Sequence, residues 1–159
     1  MLSIVIKINE WEFYMKKLLF AVLVASALSG CASVPMGDAK QDAALKTFTV
    51  PADKGGIYVY RNESFGAAVK MDVALDGKPL GQTAAKTFLY TEVAPGKHTI
   101  TSEAENTDTL DVDVKPGTLT YVWQEVKMGT WMARSLLQEV DAEAGRKGVA
   151  ECKRAQSNF

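Results

Sequence analysis

The chain contains two cysteines and one histidine, the side chains best suited to nucleophilic or metal chemistry. A zinc site needs several Cys or His ligands, and Cys31, His98 and Cys152 cannot supply them once Cys31 is modified. A catalytic histidine needs a nucleophile and an orienting acid nearby, and the chain lacks the Gly-x-Ser-x-Gly turn that would present a serine. We therefore predict no catalytic residue and no metal site. We expect His98 to be a half-exposed strand residue beside the Pro95-Gly96 turn.

Cys31 stands out because of the residues that precede it. From Met15 the chain reads MKKLLFAVLVASALSGC, with two lysines, an apolar run over residues 18–27 and small residues up to the cysteine. These are the three parts of an export signal, and the apolar run is too short to cross a membrane as a mature helix. We assign residues 15–30 to a signal peptide. Residues 1–14 place acidic charge where a positive region is needed, which indicates a start codon assigned too far upstream.

Leu28-Ser29-Gly30-Cys31 resembles the lipobox that bacterial lipoprotein-processing enzymes read. The resemblance implies that Leu28, Ser29 and Gly30 are recognised by the signal peptidase. It also implies that the Cys31 thiol takes a diacylglyceryl group through a thioether and that its freed amine takes an N-acyl chain. Two or three acyl chains anchor a protein essentially permanently, at about 0.8 kcal/mol per buried methylene. The alternative is a plain secretory signal whose cysteine later joins a disulfide.

Location and partners follow from the same segment. No aspartate follows Cys31, and such signals resemble those sorted to the outer membrane, so we expect a lipid-anchored domain in the periplasm. Apart from the covalent lipids we expect no cofactor. The first 30 residues hold three of the 18 basic and two of the 19 acidic side chains, which leaves 15 basic and 17 acidic. This balance lacks the clustered Lys and Arg that nucleic-acid binding needs.

Residues 31–46 are small and polar without a clear period, which predicts a lipidated N-terminus and a flexible tether with a reach of about 20 Å. Beyond them, apolar alternation and turn dipeptides at short spacing predict an all-β fold, a small antiparallel β-sandwich of seven to eight strands over residues 47–140. The predicted strands are 57–60, 69–75, 78–83, 87–93, 98–103, 110–114, 119–126 and 135–140. Residues 141–159 contain two glycines in a charged, alanine-containing stretch, which predicts at most a short helix and a frayed end. Cys152 should be shielded or available for an intermolecular disulfide.

Residues 71–103 contain a strand, a DGK turn, Gly81 and a PGKH turn before the next strand. This arrangement resembles the PEGA-type repeat of small extracytoplasmic β-sandwiches. With GGIYVYR before it and YVWQEVKMG and ARSLLQEV behind it, the chain from about Gly55 to Arg154 is similar to a family of proteobacterial lipoproteins of unknown function. These motifs are mostly turn chemistry, so the resemblance implies a fold and carries over no catalytic residue.

Two segments outside the strand pattern could bind something. Met128, Trp131, Met132 and Arg134 form an apolar segment between two strands, and such residues are enriched in partner surfaces. The sequence favours a structural interpretation in which Trp131 closes one end of the sandwich. Residues 103–113 are acidic but lack the spacing and central glycine of a calcium loop, so we interpret them as a solvated strand face.

Three functions remain. The one that we predict is a non-enzymatic envelope module that binds a protein, cell-wall or lipid partner, because the sequence combines an anchor with no catalytic constellation. The first alternative is a lipoprotein subunit of a secretion or envelope-spanning complex, which rests on fold analogy. The second is an enzyme with a site built from scattered carboxylates such as Asp72, Glu92 and Asp111.

Overall fold

A computed structural model of the protein describes residues 33–158. The predicted upstream segment (1–14), the signal peptide (15–30) and the lipobox residues Leu28, Ser29, Gly30 and Cys31 lie outside the described residues. No helix in the described part of the chain is long and apolar enough to cross a membrane.

Within residues 33–158, nine strands form two sheets, and the predicted β-sandwich is confirmed. A five-stranded sheet has the order β8-β7-β1-β4-β9, and a four-stranded sheet has the order β3-β2-β5-β6. The strands are β1 (Gly55–Arg61), β2 (Met71–Leu75), β3 (Lys78–Thr83), β4 (Thr87–Val93), β5 (Gly96–Glu103), β6 (Thr107–Val114), β7 (Leu119–Met128), β8 (Ala133–Val140) and β9 (Lys153–Arg154).

The five-stranded sheet is mixed, whereas the sequence predicted antiparallel pairing throughout. β1 runs parallel to β7, with Tyr58 beside Tyr121, and β4 runs parallel to β9. The reason for the first pair lies in where β7 begins. The chain returns from β6 to the end of the sheet at which β1 starts, where the Gly56 N–H donates to the Thr118 carbonyl. β7 must then run in the same direction as β1.

The main core lies between the two sheets and follows the alternation of the strands. β2 buries every second residue, because one of its faces packs on the core and the other meets solvent. β1 is buried at all seven positions because it is the central strand of a sheet that is covered on both faces. The core residues include Ile57, Val59, Val73, Leu75, Leu80, Leu89, Ile100, Val112, Val114, Val122 and Leu137.

A series of buried side-chain hydrogen bonds links the two sheets inside this core. The Thr83 hydroxyl of β3 donates to Gln124 Oε1 of β7, and Gln124 Nε2 donates to the Ser102 hydroxyl of β5. All three side chains have no solvent exposure. Buried polar groups are stable only when they are hydrogen-bonded. This hydrogen-bonded series therefore fixes how the two sheets are positioned against each other.

In the described part of the chain, two short helices cover the outer face of the five-stranded sheet. They are α1 (Ala39–Leu45) and α2 (Ala142–Ala150). Beneath them lies an aromatic cluster in which the Tyr58 and Tyr121 rings stack with centroids 5.3 Å apart. The cluster comprises Tyr58, Tyr60, Phe88, Tyr90 and Tyr121 together with Val149 and Cys152.

The N-terminal segment differs from the predicted flexible tether. Val34 is buried, Met36 forms a β-bridge with Ala155, and the Asp38 carboxylate caps α1 by accepting from two backbone N–H groups. The carbonyl of Leu45 accepts a hydrogen bond from the Tyr58 hydroxyl. Packing on the domain therefore begins at Val34. The sequence concealed this because α1 buries none of its own residues fully and shows no apolar period.

The C-terminal segment is also more ordered than predicted. The expected short helix is α2, but the chain beyond it does not fray. β9 pairs with β4, and the Asn158 N–H donates to the Leu80 carbonyl of β3. Because Met36 lies against Ala155 and the tail lies against β3, these strand edges are covered by the protein's own termini.

Candidate functional site

The most exposed apolar residues of the domain lie where β7 turns into β8. We call residues 128–134 the β7–β8 tip; Met128 and Ala133 are paired at its base. Trp131 is 90% exposed, Met128 79% and Met132 60%. The interpretation that Trp131 closes one end of the sandwich is therefore wrong, because its side chain projects into solvent.

Glu105, from the turn between β5 and β6, holds the backbone of the tip in place. Its two carboxylate oxygens accept from the N–H groups of Thr130 at 2.9 Å, Trp131 at 2.8 Å and Met132 at 2.6 Å. The bond from Met132, followed by those from Thr130 and Trp131, lowers the pKa of Glu105 to about 2. The carboxylate is therefore ionised at neutral pH.

Gly129 allows the tip to approach this carboxylate closely. A β-carbon at this position would lie 2.5 Å from Glu105 Oε2 and 2.9 Å from the Arg134 side chain. The closest contact would be with the Met132 carbonyl oxygen, so a larger residue would distort the backbone of the tip as well as its approach to Glu105. The sequence pattern does not reveal that Glu105 holds the tip, because Glu105 lies 25 to 27 residues before its three donors.

The loop between β1 and β2 lies against the base of the tip. Buried Arg61 shapes it, with Nη1 donating to the Val69 carbonyl at 2.8 Å and Nη2 to the Gly66 carbonyl at 2.5 Å. Burial lowers the pKa of Arg61, and nearby Glu63 opposes this shift. Gly66 lies against the side chains of Val126 and Ala133. The same loop carries Phe65, which is 50% exposed and adds an apolar side chain near this end of the domain.

The fold and the tip fall within a known protein family. The model of the family described as "Protein of unknown function (DUF2846)" matches residues 51–135, from the approach to β1 up to the first residues of β8. The chain belongs to this family.

An uncharacterised protein from Haemophilus influenzae is similar to this DUF2846 chain over nearly its full length. The two are 34% identical over 153 residues, which cover 91% of this chain and 90% of the relative. No solved structure matches the chain. The family match includes the tip and Glu105, whereas α2 and β9 lie beyond it.

The acidic stretch of this DUF2846 domain covers the open edge of β8, in addition to lining a solvated strand face. The Asn106 side chain donates to the Ser135 carbonyl and accepts from the Ser135 N–H, and Asp108 accepts from the Leu137 N–H at 2.6 Å. The Glu105 N–H donates to the Ala133 carbonyl. Between residues 33 and 158, no group of three or more His, Cys, Asp or Glu side chains is arranged to hold a metal ion.

His98 is held more firmly than its predicted place beside a turn suggested. Its Nδ1 lies 2.7 Å from Asp76 Oδ2 and its Nε2 lies 2.8 Å from the Ala94 carbonyl oxygen. Partial burial opposes protonation, but the hydrogen bonds to Asp76 and Ala94 outweigh it and raise the pKa of His98. Both nitrogens face acceptors, so the doubly protonated ring satisfies both bonds.

Cys152 is shielded, which was one of its two predicted states. Its thiol lies 3.5 Å from the Arg61 carbonyl oxygen and the residue is 1% exposed. Burial raises the pKa of Cys152 to about 12. The thiolate that forms disulfides is therefore scarce at neutral pH.

The carboxylates suggested as an enzyme site have separate partners. Asp72 accepts from Gln82, Asp111 accepts from Thr99, and Glu92 lies beside Tyr90 on the other sheet. A groove of about 590 Å³ does contain Asp72, opposite Glu103 on the neighbouring strand. The residues lining it include no histidine, serine or cysteine. They are Pro35, Asp72, Val73, Ala74, Gly77, Pro79, Gly81, Gln82, Glu103, Gln156 and Asn158.

Proposed function

We propose that this DUF2846 protein is an envelope lipoprotein, anchored through acyl chains on Cys31, whose domain acts by binding. Support for the anchor comes from the export signal and the Leu28-Ser29-Gly30-Cys31 sequence. The residues after Cys31 favour the outer membrane, with the domain in the periplasm. The turns at Asp76-Gly77 and Pro95-Gly96 support kinship with PEGA-type sandwiches.

The observation that carries the binding role is the β7–β8 tip. Three large apolar side chains are exposed on a segment whose backbone is fixed by Glu105. A backbone that is already held in place loses little conformational entropy on binding. Met128, Trp131, Met132 and Arg134 are therefore the proposed contact surface, for a lipid, an envelope protein or a cell-wall component.

The anchor is tested by labelling cells with palmitate and separating membrane from soluble fractions. The Cys31→Ser variant should lose the label, because no thiol remains at the processing site. Cys152→Ser is the matched control and should keep both label and membrane location. A label that survives Cys31→Ser would contradict the anchor.

The contact surface is tested by a photocrosslinking amino acid placed at residue 131 of the lipoprotein in cells. Adducts should form from residue 131 and not from residue 136 on β8, where Leu136 is a partly exposed apolar residue outside the tip. Equal yields from both positions would contradict a specific surface at the tip.

A further inference from the structure

We infer that the β7–β8 tip is a second membrane contact, with Trp131 lying in the interfacial layer of the bilayer that holds the lipid anchor. This inference rests on the proposed lipoprotein function and names the partner of its contact surface. Four observations carry it.

The exposed side chains are of the types that membrane interfaces accept. Trp131 is a large apolar ring with one polar N–H, and Trp is enriched where hydrocarbon meets headgroups. Met128 and Met132 flank it and are flexible, so they adapt to an irregular lipid surface. These three side chains expose apolar surface to water, and contact with a bilayer would bury that surface.

The backbone of the tip carries its own hydrogen-bond partner. Membranes penalise N–H groups that lose water without a replacement. Glu105 accepts from the three consecutive N–H groups of Thr130, Trp131 and Met132. These donors therefore keep their bonds when Trp131 leaves water, whereas a surface built to pair with a protein backbone would leave some donors free.

The charges behind the tip are balanced. Lys127 and Arg134 are directly opposite each other on β7 and β8. Lys127 forms a 2.5 Å ion pair with Glu125, and Arg134 contributes to the lowered pKa of Glu105. The long stems of both cations can lie along apolar surface while their charged ends remain in water. This arrangement favours shallow insertion without a requirement for anionic lipid.

The link to the anchor is short enough to keep the domain beside the bilayer. Packing begins at Val34, so Ala32 and Ser33 are the residues between it and Cys31. Three extended residues span about 10 Å. Met36 lies beside β9, and β8 is four strands away in the same sheet, about 19 Å across the sheet at the usual strand spacing. The strand register places Met36 level with Val122, six residues before Met128, so the tip also lies about 20 Å further along the strands. Two contacts this far apart would fix the orientation of the domain on the membrane.

The test is tryptophan fluorescence of the purified lipoprotein reconstituted into phosphatidylethanolamine and phosphatidylglycerol vesicles. Some vesicles contain phospholipids brominated near the headgroup, others near the chain ends. Subtracting the Trp131→Ala signal from the wild-type signal isolates residue 131 from Trp123. We expect the isolated emission of Trp131 in vesicles to be blue-shifted relative to the emission of a tryptophan in water. Bromines near the headgroup should quench this emission more strongly than bromines near the chain ends. Leu136→Ala should leave the quenching unchanged.

The outcomes separate the inference from the function on which it rests. If the lipoprotein floats with vesicles but residue 131 is not quenched, the second contact is wrong and the anchor stands. If the crosslinker at residue 131 yields one protein adduct in cells, the partner is a protein and the lipid inference is overturned. Loss of palmitate labelling in the wild-type protein would instead contradict the anchor. Circular dichroism of Trp131→Ala should match the wild type, since the removed side chain is 90% exposed.

Discussion

Replacing Gly148 with alanine separates two explanations for the glycines of α2. Alanine stabilises an exposed helix interior by about 1 kcal/mol relative to glycine. If these glycines merely weaken the helix, Gly148→Ala should make the protein more stable. The structure predicts the opposite, because α2 lies directly on the aromatic cluster.

The magnitude follows from the space above Tyr60. A β-carbon at residue 148 would overlap the ring, at 2.6 Å from Cζ and 2.9 Å from Cδ2. The closest ring atom would be Cε2, and non-bonded carbons need about 3.5–4.0 Å, so the ring or the helix must move by more than about 1 Å. Tyr60 is 4% exposed and is therefore confined by its neighbours. Overpacking costs about 1–3 kcal/mol. The upper end applies to so close an approach, and subtracting the gain of about 1 kcal/mol from alanine leaves an expected net loss of about 2 kcal/mol in the free energy of unfolding.

The assay is urea unfolding of the lipid-free Cys31→Ser protein, followed by circular dichroism. Gly148→Ala should lower the midpoint without changing the m-value. Lys147→Ala and Lys147→Gly form the control pair, because Lys147 is exposed on the same helix. The free energy of unfolding of the Lys147→Ala protein should exceed that of the Lys147→Gly protein by about 1 kcal/mol.

A Gly148→Ala protein as stable as the parent would refute this reasoning. It would mean that α2 moves away from Tyr60 without cost, and that the close approach does not explain the glycine. Gly145 faces the same constraint against Tyr121 and should respond in the same direction.

Three further predictions concern titratable groups. An NMR titration should place the pKa of His98 above its ordinary value, and Asp76→Asn should lower that pKa. Protonated His98 stabilises the fold fully below its unfolded-state pKa, and this stability is lost as pH rises through the folded-state pKa of His98. Asp76→Asn without effect would contradict the hydrogen-bond assignment. In the Cys31→Ser protein, Cys152 should react with a thiol reagent only after unfolding, and rapid reaction of the native protein would contradict its burial. Glu105→Gln should speed amide exchange in the tip more than Glu103→Gln does, since an amide offers one acceptor oxygen. In the parent this protection should persist above about pH 2 and be lost below it, because the pKa of Glu105 is depressed.

The strands could be predicted from the sequence because local rules decide them. Apolar alternation located β2, and Asp76-Gly77 marked the turn after it; both residues adopt the positive φ angles, 50° and 74°, that a tight hairpin requires. All eight predicted strands are present with small shifts at their ends. The parallel pairing of β1 with β7 could not be predicted, since it depends on where the chain crosses between sheets.

Glycine had two meanings that the sequence could not separate. The sequence predicts that Gly145 and Gly148 interrupt the helix, but both lie within α2 and let its backbone approach aromatic rings. Their role depends on Tyr60 and Tyr121, which lie far away in the chain. The ordered tail and α1 were missed for a related reason, because few of their residues are apolar.

Residue type alone singled out the candidate site in the sequence, but the exposure of Trp131 was misjudged. The pattern of Met128, Trp131 and Met132 does not say whether the side chains point inward. Exposure depends on Glu105, whose three hydrogen bonds hold the tip out from the sandwich. The sequence does not show that an acidic residue in a polar turn, such as Glu105, will bind the backbone of a distant loop.

The covered strand edges have a consequence for a protein confined to a surface. The proposed anchoring would confine many copies to two dimensions, where they collide far more often than in solution, and uncovered strand edges would then join such copies into extended sheets. Asn106 and Asp108 occupy hydrogen-bonding groups of β8 that a neighbouring molecule could otherwise use. The termini do the same beside β9 and β3. Covered edges would therefore let many copies of the proposed lipoprotein share one membrane patch and remain separate molecules.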